Sequence, residues 1–317
     1  MNDLTLQKAK ALARRYRVVH ACLTILAALL SLAPAIWAAF VLHNRYWMML
    51  LTLFLYLVLR RVITFITYQK YVMGCLTKEL DPPLYRALLA EVRFAAYPGV
   101  DHLFAAHYHG EHQTVIDLCA VKMADPKCAR FSLFYLLFLA PTYFELGDMD
   151  ALAQTLDRFD AYLATRKDAD KRRALHRDMA YYRAFTKGDY KACRDIVQPL
   201  MTEGNHPLSR AEYSLLYAIA CYRLGDIESA RVAFAAVVQT VPKMHFAAVA
   251  TTYLDAIDAG KAFDPPVQVL TPDPSYQPPR YPDRERLQKR WHRIFYAVLA
   301  VEMLWLLALA ILQSLAG

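Results

Sequence analysis

Residues 101–112 hold the densest group of side chains that could do chemistry. The stretch contains two carboxylates and four histidines: Asp101, His102, His107, His109, Glu111 and His112. Both side-chain types ligate zinc, and the four-residue spacing from His107 to Glu111 places both on one helix face. His102 and His109, however, lie about 10 Å apart at the rise of a helix, too far for one ion. Solvent-facing histidines are therefore favoured, and no metal or other cofactor is predicted.

The sequence shows no motif of a familiar catalytic mechanism. It contains no phosphate-binding glycine loop, no G-x-S-x-G elbow and no H-E-x-x-H zinc motif. Its nine glycines also leave few positions where a backbone could approach a phosphate closely. We therefore predict that this polypeptide is not an enzyme.

Glu302 is the acidic residue inside the apolar segment 294–312. In a membrane helix it would lie roughly 13 Å beyond Arg293, near the midplane of a bilayer core about 30 Å thick. A carboxylate at that depth is costly unless it is protonated or paired, so Glu302 is a candidate functional residue. A hydrogen bond that joins the membrane helices, a contact with another membrane protein and, less favoured, a proton-linked site remain open.

Four glycine turns divide the middle of the chain into segments of helical length. Their glycines are spaced 37, 41 and 37 residues apart and are Gly110, Gly147, Gly188 and Gly225. Glycine readily adopts the positive φ that ends a helix, and the acidic residue after each one favours the start of the next helix. Helix–turn–helix units repeated at this period are typical of an α-solenoid. The predicted fold class is all-α.

Three apolar segments without Lys or Arg flank this helical region. They comprise residues 18–42, residues 46–59 after a three-residue link, and residues 294–312. The first is long enough to cross the hydrocarbon core, and the short link predicts a transmembrane helical hairpin. The third predicts a C-terminal transmembrane helix, so three membrane helices are expected.

The charge distribution predicts the orientation in the membrane. The net charge of +8 is accounted for by residues 1–80, which carry ten Lys or Arg and two Asp or Glu. Basic residues beside membrane helices indicate the cytoplasmic side, whereas a nucleic-acid groove would need a basic repeat region. We predict an integral protein of the cytoplasmic membrane, bacterial in character, with a cytoplasmic N-terminus and repeat domain and an external C-terminus. No nucleic-acid partner is expected, and the oligomeric state stays open.

The predicted organisation has five parts. They are a basic cytoplasmic tail (1–17), the transmembrane hairpin with a projecting helix (18–79), the repeat domain (84–260), a proline-rich linker (264–283), and a basic cluster with the C-terminal transmembrane helix (284–317). The linker holds seven prolines, which predicts an extended, semi-rigid spacer.

The last repeat resembles the tetratricopeptide repeat (TPR). The two small packing residues of that family, its aromatic residue and its terminal proline fall on Ala218, Ala230, Phe234 and Pro242. Small residues let helices cross closely, and the aromatic ring fills the space to the next pair. The other repeats match in part, so the resemblance covers roughly residues 100–260. It implies a fold and no particular ligand.

In TPR proteins the first helix of each repeat lines a concave groove that binds a partner. By position, the resemblance implies a partner-binding groove formed by Phe134, Leu137, Phe138, Met179, Tyr182, Phe185, Leu215, Ile219, Tyr222 and Arg223. An apolar, aromatic groove suits a helix or an extended peptide. The same residues could instead form the core, and the sequence leaves both interpretations open.

These observations together predict a non-catalytic adaptor or scaffold: a TPR-like α-solenoid that holds a protein partner at the membrane. An alternative is an accessory subunit of a membrane complex, contacting it through the transmembrane helices and Glu302. A metal-dependent enzyme that uses the 101–112 cluster is less favoured.

Overall fold

The computed structural model describes residues 3–41, 45–92, 98–126, 128, 131–165, 169–203 and 206–278. These residues form thirteen α-helices and one π-helical turn, without a strand, which confirms the all-α prediction. In chain order the α-helices are Asp3–Val41 (α1), Arg45–Tyr68 (α2), Gly74–Thr77 (α3), Pro82–Val92 (α4), Pro98–His109 (α5), His112–Ala124 (α6), Ser132–Glu145 (α7), Met149–Ala164 (α8), Ala169–Thr186 (α9), Tyr190–Glu203 (α10), Pro207–Arg223 (α11), Ile227–Thr240 (α12) and His245–Asp258 (α13).

The chain divides into two compact units, residues 1–277 and 278–317. The predicted basic cluster, the third apolar segment and Glu302 belong to the second unit and lie outside the described residues. Within the described part of the chain, no helix combines the length and the apolar character needed to cross a membrane.

The predicted glycine turns are present between the paired helices α5/α6, α7/α8, α9/α10 and α11/α12. Their glycines have φ angles between +66° and +79°, a conformation that costs a side-chain-bearing residue about 1–2 kcal/mol. The aspartate after the glycine caps the next helix in three of the turns. Asp148, for example, accepts the N–H of Ala151 at 2.9 Å, which satisfies a donor that the helix leaves unpaired.

Neighbouring helix pairs stack in chain order, and the stack also folds back on itself. Helix α13 contacts α5, and α11 contacts α3. Lys243, in the loop before α13, forms an ion pair with Asp81. Asp81 also caps α4 by accepting the N–H of Leu84 at 3.0 Å. The last repeat is therefore packed against the helices that precede the first one.

The core follows the packing positions of the repeats. Ala218, Ala230 and Phe234 are fully buried, and the Phe234 ring stacks on Tyr253 with centroids 4.7 Å apart. Pro242, by contrast, is exposed. Small residues at the crossings and an aromatic ring between pairs give the close packing that interiors require.

Helices α1 and α2 form a long hairpin that is joined to the repeats at one end. The first part of α1 belongs to the segment interpreted from sequence as a tail, but it is helical from Asp3 onward. Ala9, Ala13 and Tyr16 recur at helical spacing and are buried, and α1 packs against α4. The small side chains permit this close approach, so the basic residues occupy the other faces of a docked helix.

Candidate functional site

A cavity of about 670 Å³ lies among α7, α9, α11 and α13. Five of the ten predicted groove residues line it: Tyr182, Phe185, Leu215, Ile219 and Arg223. Phe246 and Tyr253 of α13 complete an aromatic wall, and Glu212 adds a carboxylate. Most of its surface is apolar, as is usual for sites that bind a small ligand or a peptide side chain.

The other predicted groove residues occupy different places. Leu137 and Met179 line a smaller cavity of about 130 Å³. Phe134 and Phe138 pack on the ring of Phe104, with centroids 6.3 Å and 5.2 Å from it. Half of the ten predicted groove residues are buried: Phe138, Met179, Tyr182, Leu215 and Ile219. These residues thus belong to the core as well as to the inner surface, and partner binding through them stays a prediction.

Residues 263–276 lie against the inner surface of the repeats, and we call them the docked segment. Its first N–H, that of Phe263, donates to the Tyr222 hydroxyl at 2.7 Å. Further along, the N–H of Gln268 donates to the Leu146 carbonyl at 2.8 Å. Phe263, Leu270 and Tyr276 are partly buried against the core.

The far end of the docked segment is bound by α6. The buried Asp117 carboxylate accepts the N–H of Asp273 at 2.7 Å and a side-chain N–H of Gln113 at 2.8 Å. Gln113 also donates to the Thr271 carbonyl at 2.8 Å. The described part of the predicted linker is extended and free of helix, as expected for its prolines. It differs from a spacer because some of its apolar side chains and backbone groups contact the repeats, although Val267 and Val269 are exposed.

Arg223 places a cation in the wall of the larger cavity. One terminal nitrogen of its guanidinium pairs with Asp264 of the docked segment. Its Nε is buried and has no hydrogen-bond partner among the described residues. An unpaired buried donor costs about 1–3 kcal/mol, so this nitrogen favours an acceptor that enters the cavity.

A second cluster joins three helix ends. Glu145 is the last residue of α7, His112 the first of α6 and His245 the first of α13. The Glu145 Oε2 atom lies 2.7 Å from His112 Nε2 and 2.9 Å from His245 Nε2. Its Oε1 atom lies 3.0 Å from His245 Nε2. Two imidazoles and one carboxylate thus converge; we call these three residues the His–Glu–His cluster.

Burial and charge act in opposite directions in this cluster. Burial alone would raise the pKa of Glu145. His245 and His112 lower that pKa by a larger amount, so the net pKa of Glu145 lies below its ordinary range. Burial lowers the pKa of His245, whereas Glu145 raises it, and the net pKa is above the ordinary value. The geometry therefore favours a carboxylate with positive charge beside it.

Two neighbours determine how His245 meets Glu145. The His245 Nδ1 atom lies 3.3 Å from the Tyr108 carbonyl oxygen, so this nitrogen carries a hydrogen and leaves Nε2 facing the carboxylate. Gly110 adjoins the ring because a Cβ built on it would lie only 2.9 Å from the Cβ of His245. A glycine in the first turn is therefore needed for His245 to reach this position.

The polar residues predicted as a group in 101–112 are dispersed in the structure, and His112 alone enters the His–Glu–His cluster. Asp101 is buried and accepts a hydrogen bond from the Tyr68 hydroxyl. His109 is exposed, 3.6 Å from Glu111, which pairs with Arg86. The remaining two histidines, His102 and His107, lie on α5.

Sequence reasoning missed Glu145 and His245. Glu145 lies 33 residues after His112, and His245 lies 100 residues after Glu145. His245 approaches His112 and Glu145 only because helix α13 contacts helix α5. No short-range spacing could reveal such a group, although all three residues adjoin the ends of predicted helices.

No family model, curated protein or solved structure matches this chain. The resemblance to the TPR family therefore stays a prediction from the residues of the repeats. Function has to be inferred from the cavity, the docked segment and the His–Glu–His cluster.

Proposed function

We propose that the protein is a non-catalytic adaptor, anchored to a membrane, that holds an extended peptide of a protein partner in the cavity among α7, α9, α11 and α13. In this proposal the repeats are TPR-like and lie on the cytoplasmic face. The observation that carries the proposal is that this inner surface already holds an extended stretch of polypeptide, the docked segment.

The contacts of the docked segment support binding of a peptide backbone. Tyr222 and the Leu146 carbonyl accept backbone N–H groups of the segment, and neither contact depends on the identity of the side chain bound. The adjoining cavity of about 670 Å³ has room for apolar anchors of a partner, which commonly dominate binding energy at interfaces. The Arg223 Nε, which has no hydrogen-bond partner within the described part of the chain, suits a carbonyl or carboxylate of the same peptide.

The surface of the α1–α2 hairpin supports anchoring. Large apolar side chains on both helices are half or more exposed, among them Ile25 and Leu29 at 61% and Phe54 at 65%. Contiguous apolar surface of this kind needs lipid or another protein to cover it.

A matched pair of substitutions on exposed helix positions tests the adaptor proposal. Thr252 lies at the cavity and is exposed, so Thr252→Arg introduces a bulky charge at its mouth with little cost to folding. Val232 on α12 is 62% exposed and away from the cavity, so Val232→Arg is the control. Both variants, wild type and Glu302→Leu are purified from membranes in mild detergent, and their co-purifying proteins are compared.

Loss of a specific protein with Thr252→Arg and its retention with Val232→Arg would support the adaptor. Loss with Glu302→Leu alone would favour the alternative, an accessory subunit that contacts its complex inside the membrane. The same proteins in all four samples would contradict both proposals. Extraction of the wild-type chain from membranes by alkaline carbonate would separately contradict the anchor.

A further inference from the structure

We propose that His112, Glu145 and His245 form a binding site for a divalent transition metal of the zinc class. The three ligand atoms, one from each side chain, all lie within 4.8 Å of one another. Two imidazole nitrogens and one carboxylate oxygen are a ligand set that zinc uses in proteins, with a fourth position open. This inference does not depend on the proposed adaptor function.

The hydrogen positions at His245 call for a cation. Because its Nδ1 faces the Tyr108 carbonyl at 3.3 Å, a neutral His245 carries its hydrogen there and points the Nε2 lone pair at Glu145. A lone pair and a carboxylate oxygen 2.9 Å apart repel each other unless a proton or a metal ion lies between them. A histidine whose other nitrogen donates to a backbone carbonyl is the usual arrangement of a metal ligand.

His112 brings a second imidazole to the Glu145 carboxylate. Its Nε2 atom lies 2.7 Å from Glu145 Oε2, the oxygen that His245 also approaches. One divalent ion would accept a lone pair from each of the three side chains, with both imidazoles in the neutral form that binds metals.

The separations are close to those of a metal site. Ligands at roughly 2.0–2.1 Å from a tetrahedral zinc are about 3.3 Å from one another. The observed N···O separations of 2.7–3.0 Å are shorter, so the carboxylate would retreat by about 0.3–0.6 Å.

His107 supplies a second and independent observation beside the His–Glu–His cluster. It is 3% exposed, its ring centroid lies 6.1 Å from that of His245, and its Nδ1 has no hydrogen-bond partner among the residues described. A buried imidazole whose nitrogen has no partner is unusual, because polar groups in a protein core are normally hydrogen-bonded.

The position of the site indicates what the metal would do. Its ligands come from α6 and α7 in the first half of the repeats and from α13 at their end. A bound ion would therefore fasten the last helix to the first repeats, across the region where the stack folds back. Because metal binding adds to the stability of the folded state, loading should raise the unfolding temperature.

Cobalt titration of the full chain tests the proposal. The protein, purified in detergent and stripped with a chelator, is titrated with Co²⁺ while its visible absorption is recorded, and Zn²⁺ is then added as a competitor. We expect one equivalent of Co²⁺ with the intense spectrum of a four-coordinate site, which Zn²⁺ abolishes. Thermal unfolding of the same samples should show a higher midpoint with Zn²⁺ than without it.

Substitutions then assign the ion to the cluster. His112→Ala and Glu145→Gln should each weaken Co²⁺ binding at least tenfold and remove the effect of Zn²⁺ on unfolding. His109→Ala and His206→Ala, at exposed histidines outside the cluster, should change neither. If Glu145→Gln fails to fold, His112→Ala still decides, because the His112 side chain is only partly buried. No cobalt spectrum with wild type, or equal binding by all variants, would overturn the proposal and leave a proton-bridged cluster.

Discussion

Replacing Gly110 by alanine tests whether the close approach of His245 governs how the end of the repeat region meets its beginning. Gly110 has φ +78°, and an added Cβ would lie 2.9 Å from His245 Cβ. Gly225 provides a matched control, since it occupies the equivalent turn at φ +79° and an added Cβ there meets nothing within 4 Å. The two alanine variants therefore share the backbone cost and differ in the contact with His245.

The structure sets the expected magnitudes. Positive φ at alanine costs about 1–2 kcal/mol, and both variants should lose that amount of unfolding free energy. Carbon atoms pack at about 3.5–4.0 Å, so Gly110→Ala also requires His245 to move by roughly 0.6–1 Å. Overpacking of this size costs about 1–3 kcal/mol. Gly110→Ala should thus be less stable than Gly225→Ala by about 1–3 kcal/mol.

Urea unfolding of the full-length variants in detergent, followed by circular dichroism, measures the difference. Metal-free buffer and a chelator keep the result independent of any bound ion. An equal loss of stability in the two variants would refute the reasoning, because it would mean that His245 does not pack on Gly110. A larger loss in Gly225→Ala would refute it more strongly.

Three further predictions concern the core, a helix cap and the docked segment. Phe234→Ala removes a fully buried ring and should lower the free energy of unfolding in urea by about 3–5 kcal/mol. Val232→Ala, at an exposed position, should change it by no more than about 0.5 kcal/mol. Similar losses in the two variants would contradict the packing. Asp148→Ala removes the cap of α8 and should cost about 0.5–2 kcal/mol, and Asp157→Ala on an exposed face of α8 should be nearly neutral. Tyr222→Phe removes the acceptor of the first N–H of the docked segment. At about 0.5–1.5 kcal/mol per hydrogen bond, a protease should cleave the segment roughly two- to tenfold faster. An unchanged cleavage rate would contradict docking of the segment at Tyr222.

Local features of the fold were predictable because they depend on neighbouring residues. The positive φ angles of Gly110, Gly147, Gly188 and Gly225 follow from a glycine placed between two helical stretches. The burial of Phe234 follows from its register in the repeat. Helix α4 begins at Pro82, since proline suits the first turn of a helix.

Features that depend on distant contacts were not predictable in the same way. The prolines of 264–283 predicted a spacer, but two apolar side chains within it, Leu270 and Tyr276, are partly buried against the repeats. Glu145 and His245 lie 100 residues apart, and only the return of α13 onto α5 brings them together. Helix periodicity describes which face of a helix is apolar, but it does not specify how many repeats are needed before a stack closes on itself.

Photo-crosslinking in native membranes tests the central claim, that the cavity beside the docked segment holds a partner peptide. A photoreactive residue is placed at Lys187 or Thr252, two exposed positions that line the cavity, and at Val232 on the outer face as the control. The account predicts one discrete protein adduct from both cavity positions, with the crosslink mapped to a single extended stretch of the partner, and none from Val232. No adduct at either cavity position, or the same adduct from Val232, would contradict it.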